Sequence, residues 1–200
     1  MKIMNDLIKD SLTKSTSYTT FRTLVSDLLE KGKSTGPNQS EALLNYSMLN
    51  DKRMARLDKK IKLSDTTIER LKRVSDEQTW LLITEGWCGD AAHILPVMNK
   101  MSNESDRINL KVVLRDENPE LMHQFLTNGS MSIPKLVVLD QNDHVVSSWG
   151  PRPSVASKMV LDYKEKHGHL DSDFKKELQL WYNKNKGLNI QEDLLAFLEN

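Results

Sequence analysis

The 200-residue chain carries 28 basic and 28 acidic side chains, and 38% of its residues are hydrophobic. That length accommodates one core with helical additions, and zero net charge leaves no global field to draw nucleic acid, an anionic membrane or an acidic substrate. A single cysteine excludes an intramolecular disulfide and a zinc site built from several thiolates. Residues 1–15 alternate apolar residues with Lys2, Asp6, Lys9 and Asp10, unlike the apolar stretch of a signal peptide. Apolar runs such as 136–139 are far too short to cross a bilayer. The expected address is therefore cytoplasmic, with no membrane or nucleic-acid partner. The five histidines are scattered, and His167 and His169 flank Gly168 outside metal-motif spacing. They are expected at the surface near a helix end, and no metal site is expected.

The first third reads as helical. Phe21, Leu24, Val25, Leu28 and Leu29 recur at helical spacing, and Gly32 is placed to end that helix. Residues 33–39, with Gly36 and Pro37, read as a loop. Asn38 or Ser40 can cap a further helix with Leu43, Leu44, Met48, Met54 and Leu57 as its stripe. Interleaved with that stripe stand Asp51, Lys52, Arg53, Arg56, Asp58, Lys59 and Lys60. Such a cluster can touch phosphate, but at zero net charge it reads first as a solvated face. Ser64 or Asp65 then caps a short helix with Ile68, Leu71 and Val74 on one side.

Residues 79–84 form an apolar, partly β-branched run, the signature of a buried strand. Gly86-Trp87-Cys88-Gly89 turns out of it into a helix carrying Ile94, Leu95, Val97, Met98 and Met101. A second strand is expected over Ile108–Leu114 and a helix over 120–126, with Pro119 suited to its first turn and Gly129 to its stop. A hairpin of Lys135–Leu139 and 144–148 follows across the turn 140–143, then a helix over 155–166. Two more helices carry Phe174, Leu178 and Trp181, and Leu194, Leu195, Phe197 and Leu198. A parallel crossover followed by a hairpin gives an α/β three-layer sandwich with a mixed sheet. The expected organisation is a helical extension over 1–63, the α/β domain over 64–168 and a second helical extension over 169–200. The arms carry no readable motif. They are suited to packing, to covering a sheet edge, to restricting access to Cys88 or to forming a homodimer.

Cys88 follows a strand and opens a helix, where unpaired backbone N–H groups and the positive helix end favour thiolate over thiol. Thiolates are the nucleophiles of disulfide exchange, so the position suits reactivity. The bland alternative is a buried cysteine acting as a small hydrophobe.

Trp87-Cys88-Gly89-Asp90-Ala91, with Pro96 in the following helix, resembles the thioredoxin active-site loop, Trp-Cys-Gly-Pro-Cys, and its kinked helix. Further landmarks agree in order. Asp116-Glu117-Asn118-Pro119 resembles the segment that ends the central strand. Ile133-Pro134 resembles the family's cis-proline dipeptide, and Gly150 its glycine near the active site. The resemblance spans about residues 64–166 and implies the thioredoxin-like fold. It also implies a site of Cys88 as nucleophile, with Trp87, Gly89, Asp90, Ala91, Ile133, Pro134 and Gly150 around a bound peptide. In that family the residue before the cis proline offers its backbone to an extended substrate, a pairing with modest sequence dependence.

The departures bear on chemistry. Ala91 replaces the resolving cysteine, and the buried carboxylate and lysine that assist it in the family align with Leu82 and Val112. Glu85, three before the cysteine, excludes the peroxiredoxin threonine, and the loop is not the Cys-Gly-Phe-Ser of monothiol glutaredoxins. Asp90 in the loop-proline slot is expected to favour the helix and to oppose thiolate formation, as are Glu85 and Asp116 if near, with Arg115 and Arg152 available to offset them. Three functions follow. The first is a monothiol thiol–disulfide oxidoreductase acting in redox homeostasis on protein or small-molecule disulfides, with no cofactor beyond an external low-molecular-weight thiol. The others are a non-catalytic peptide-binding module and a thiol redox sensor.

Overall fold

The structure, a computed structural model, describes residues 2–196 and 198, without the side chains of Lys2 and Ile3. Three helices come first: α1 (Lys2–Lys14), α2 (Tyr18–Glu30) and α3 (Glu41–Lys60). Serines start several helices because a short hydroxyl satisfies an otherwise unpaired N–H of the first turn, a cap worth about 1 kcal/mol. Ser17 accepts from Thr20 N, Ser40 from Leu43 N, and Ser64 from Thr67 N at the head of α4 (Asp65–Lys72). The α/β part follows as β1 (Gln78–Thr84), α5 (Ala91–Ser102), β2 (Ile108–Leu114), α6 (Pro119–Gln124), β3 (Lys135–Leu139), β4 (Val145–Trp149) and α7 (Ser154–His167). The chain continues through α8 (Ser172–Asn185) and α9 (Leu188–Leu195).

The mixed sheet has the order β2-β1-β3-β4. β1 runs parallel to β2 and antiparallel to β3, and β3 pairs antiparallel with β4. Leu81, Leu82 and Ile83 in β1 are fully buried, each contributing roughly 1.5–3 kcal/mol by leaving water. Leu82 stands opposite Val112 in the parallel register, and both are buried. The two positions that the thioredoxin resemblance marks for a carboxylate and a lysine therefore form one apolar step of the sheet.

The N-terminal arm covers an edge of that sheet. Thr16 and Val112 exchange both backbone hydrogen bonds, at 2.9 and 2.8 Å, and α1 and α2 pack on β2. A paired edge is closed to further strands.

Several expectations are corrected. β4 starts at Val145 and ends on the buried Trp149, and α6 stops at Gln124, two residues short of the expected end. In α3, Met48 is exposed, while Ser47 and Asn50 are buried with Met54. Polar pairing outweighs the apolar stripe here. Ser47 bonds the Ser34 hydroxyl at 2.6 Å, and Asn50 Nδ2 donates to Gly86 O at 3.1 Å. In α8 the buried aromatics are Phe174 and Tyr182, with Trp181 half-buried. Phe197 lies outside the described residues.

Candidate active site

The strand-to-helix turn places Cys88 beneath the Ile133–Pro134 bond, which is cis, as is Gly150–Pro151. Cys88 Sγ donates to Ile133 O at 3.3 Å and accepts from Ala91 N at 3.5 Å. Only 7% of the residue is exposed. Burial, and secondarily the Asp90 carboxylate, push its thiol up to about 12, while the Ala91 and Asp90 N–H groups and Arg152 pull the other way. In this conformation desolvation outweighs the helix end, and the sulfur is protonated. Pro96 lies inside α5 and withholds the N–H that would bond back to position 92.

Asp90 stands at the N-cap of α5 without a side-chain capping bond. Its carboxylate turns into a buried clasp. Tyr182 Oη donates to Oδ1 at 2.9 Å, and Arg152 pairs with Oδ2 at 2.8 Å. Burial raises the Asp90 carboxyl above its ordinary range, and Arg152 and Tyr182 oppose that rise. Tyr182 stacks on His93 at 4.5 Å with 4° between the rings, and His93 Nε2 lies 2.8 Å from Gln179 Oε1. α8 is thus tied to the loop by two aromatic rings and an amide.

His93 is buried, which corrects the surface reading of the histidines. Burial lowers its pKa to about 4 from 6.5. The unfolded chain takes the proton below pH 6.5 and the folded one only near pH 4. This contribution is fully present above 6.5 and is lost as the pH falls between those values, by about 3 kcal/mol in total. Denaturant titrations from pH 7 to 4 are expected to show that slope in the wild type and its absence in His93→Asn. An equal slope in both would reject the assignment.

Glu85 and Asp116 do not crowd the sulfur. Glu85 Oε1 accepts from Asp116 N at 3.0 Å, and Asp116 pairs with Arg115 Nε at 2.7 Å. Burial raises the Glu85 carboxyl, opposed by the Thr35 hydroxyl and Asp116 N–H. The Arg115 guanidinium lies 4.7 Å over the Trp87 ring. Of the two candidate arginines, Arg152 is the one that acts on Cys88, through the Asp90 clasp.

A groove of about 570 Å³ opens above the sulfur. Leu43, Tyr46 and Leu49 form one bank, and Leu170, Phe174 and Leu178 the other. Trp87, Cys88, Gly89, Asp90 and Ile133 lie between them. Arg53, Arg115, Arg152 and Lys175 also line it, and the only carboxylate among the described residues that line it, Asp90, is already clasped. Ala91 is buried behind the loop. Gly150 has φ +111°, and a Cβ there would collide with the Pro134 carbonyl. Gly150→Ala is expected to cost about 1–3 kcal/mol, read as a lowered urea midpoint; an unchanged midpoint would refute the close approach.

A family model described as Thioredoxin matches residues 36–167. The chain belongs to the thioredoxin family. It is 35% identical over 77 residues to the thioredoxin of Bacillus subtilis (strain 168), an alignment covering 38% of this chain and 71% of that protein. Among solved structures it is similar to a protein of unknown function from Pseudomonas aeruginosa, with TM-score 0.60 and 19% identity over 92% of this chain and 98% of the other. An HIV epitope-scaffold aligns over the same shares, with TM-score 0.57 and 20% identity. These two likenesses concern the fold, and their span takes in helices outside the sheet as well as the sheet. No described helix is long and apolar enough to cross a membrane.

Sequence reasoning placed Trp87, Cys88, Gly89, Asp90, Ala91, Ile133, Pro134 and Gly150 around one turn, and they meet there. It missed Asn50, His93, Gln179 and Tyr182. Tyr182 carried a readable signal: it follows Leu178 by four residues on the buried face of α8.

Proposed function

We propose that this thioredoxin-family protein performs monothiol thiol–disulfide exchange on peptide disulfides held in the groove above Cys88. The observation that carries the reading is the placement of the sulfur. Sγ lies at the start of α5, within reach of the Ala91 N–H, and bonds the Ile133 carbonyl beside the groove. An extended peptide that pairs with the Ile133 backbone competes for that carbonyl and so releases the thiol proton from its acceptor. That proton passes to solvent water, and the resulting Cys88 thiolate attacks one sulfur of R–S–S–R′. The new Cys88–S–S–R bond forms as the old bond breaks, and R′–S⁻ leaves and is protonated. With Ala91 in place of a resolving cysteine, an external low-molecular-weight thiol must attack the mixed disulfide. It departs as the disulfide with R and restores Cys88. A reducing cytoplasm supplies such a thiol, and the mechanism calls on no metal or bound cofactor. The apolar banks and the excess of Arg53, Arg115 and Lys175 favour peptides bearing apolar and acidic residues.

The test uses an acidic, apolar peptide disulfide with the full chain and intact-mass detection. One adduct per chain is expected, reversible by reductant and lost in Cys88→Ser. A second reading, a non-catalytic peptide-binding module, draws on the protonated state of the buried thiol. It gains if the peptide binds Cys88→Ser and wild type equally and no adduct forms, and that outcome would overturn the exchange reading.

A further inference from the structure

The charged stretch of α3 sorts its acids from its bases. Asp51 and Asp58 both turn to Arg22 of α2, at 2.8 and 2.6 Å. Arg56 reaches an amide instead, the Asn183 Oδ1 of α8 at 2.6 Å. The face left behind borders a cavity of about 720 Å³ between the end of α3 and the α8–α9 turn. Arg56, Lys59, Lys60, Lys62 and Lys186 line this cavity, and among the described residues no carboxylate does. Leu57 and the half-exposed Leu188 supply apolar surface, over a floor of the buried Ile61, His93, Tyr182 and Ile190. In a chain of zero net charge, five cations gather around one concavity, three of them (Lys59, Lys60 and Lys186) at helix C-termini whose partial negative charge holds them there.

We propose that this cavity is a binding site for an organic polyphosphate of nucleotide size. Its phosphates lie on Lys59, Lys60, Lys186 and Arg56, and its apolar portion against Leu188 and Leu57. The volume is that of small-molecule sites, and apolar walls with a few placed charges are their usual make-up. Guanidinium and ammonium groups give phosphate its strongest protein hydrogen bonds. The site is distinct from the groove above Cys88 and does not depend on thiol exchange.

Calorimetric titration of the full chain at low ionic strength, with ATP and inorganic triphosphate as probes, tests the site. ATP is expected to bind more tightly than triphosphate, because only ATP carries a base that covers Leu188 and Leu57. Lys59→Gln/Lys60→Gln is expected to weaken ATP binding about 10-fold or more with an unchanged Tm, since both side chains are exposed. If that variant folds poorly, Lys186→Gln on the opposite rim gives the same reading. Equal ATP affinity in wild type and variants, or no binding of either probe, overturns the site. Tighter binding of a single-stranded RNA oligomer through the same lysines overturns it too, by making the face a macromolecular surface.

Discussion

Replacing Arg152 by alanine is expected to cost about 3–5 kcal/mol of folding stability, because it strands the buried Asp90 carboxylate. Asp90 is 9% exposed, and its Oδ2 has Arg152 as an ion-pair partner at 2.8 Å. Tyr182 still donates to Oδ1, but one neutral hydroxyl does not replace a cation in a dry site. The loss is expected to shrink in acid, where the stranded carboxyl takes up a proton. Combining Arg152→Ala with Asp90→Asn should recover most of the stability, since the second change removes the charge that lost its partner. Urea denaturation of the two single variants and the double variant measures this coupling. A cost below about 1 kcal/mol for Arg152→Ala, or strict additivity in the double variant, would refute a clasp that matters to the fold.

The second large effect concerns the resting thiol. With Cys88 raised to about 12 from the ordinary 9, its thiolate population at neutral pH falls about 1,000-fold below that of an unstructured cysteine. Alkylation of the free protein by iodoacetamide is expected to be slower than that of a model peptide by about this factor. It should still be rising at pH 10. Asp90→Asn removes the like charge beside the sulfur, so it lowers the thiol pKa and speeds alkylation at fixed pH. Arg152→Ala removes the favourable cation and acts in the opposite direction. An alkylation midpoint at or below that of the model peptide would overturn the protonated resting state. The peptide-disulfide adduct reads something different, because a docked strand competes for the Ile133 carbonyl and a small alkylating agent does not. A slow alkylation together with a formed adduct marks a thiol switched on by its substrate.

The central part of the fold was legible because its signals are local. A buried strand announces itself by a short apolar run, and a turn by its glycines, so β1, β2 and β3 stand within a residue of where the sequence puts them. The landmarks around Cys88 were legible for a related reason: each is a backbone device, a proline or a glycine, fixed at a spacing. What escaped was long-range and polar. Asn50 reaches 36 residues to Gly86 O, and Tyr182 reaches 92 to Asp90. Periodicity places Tyr182 on the buried face of α8, but it names no partner, since a buried asparagine or tyrosine occupies the same helical position that an apolar residue would. The sign of the Cys88 shift was equally hidden. The helix start could be read from residue order, but the burial that outweighs it depends on the packing of the helices around the loop.

The bond from Tyr182 to Asp90 also orders events in time. The chain leaves the ribosome from its N-terminus, so every strand of the sheet is available to pair before residue 182 has been synthesised. The reactive turn can therefore take shape while its clasp does not yet exist, and closing a contact across 92 residues comes late because of its loop entropy. A nascent chain halted beyond α7 lacks the Leu170, Phe174 and Leu178 bank of the groove and the Tyr182 end of the clasp.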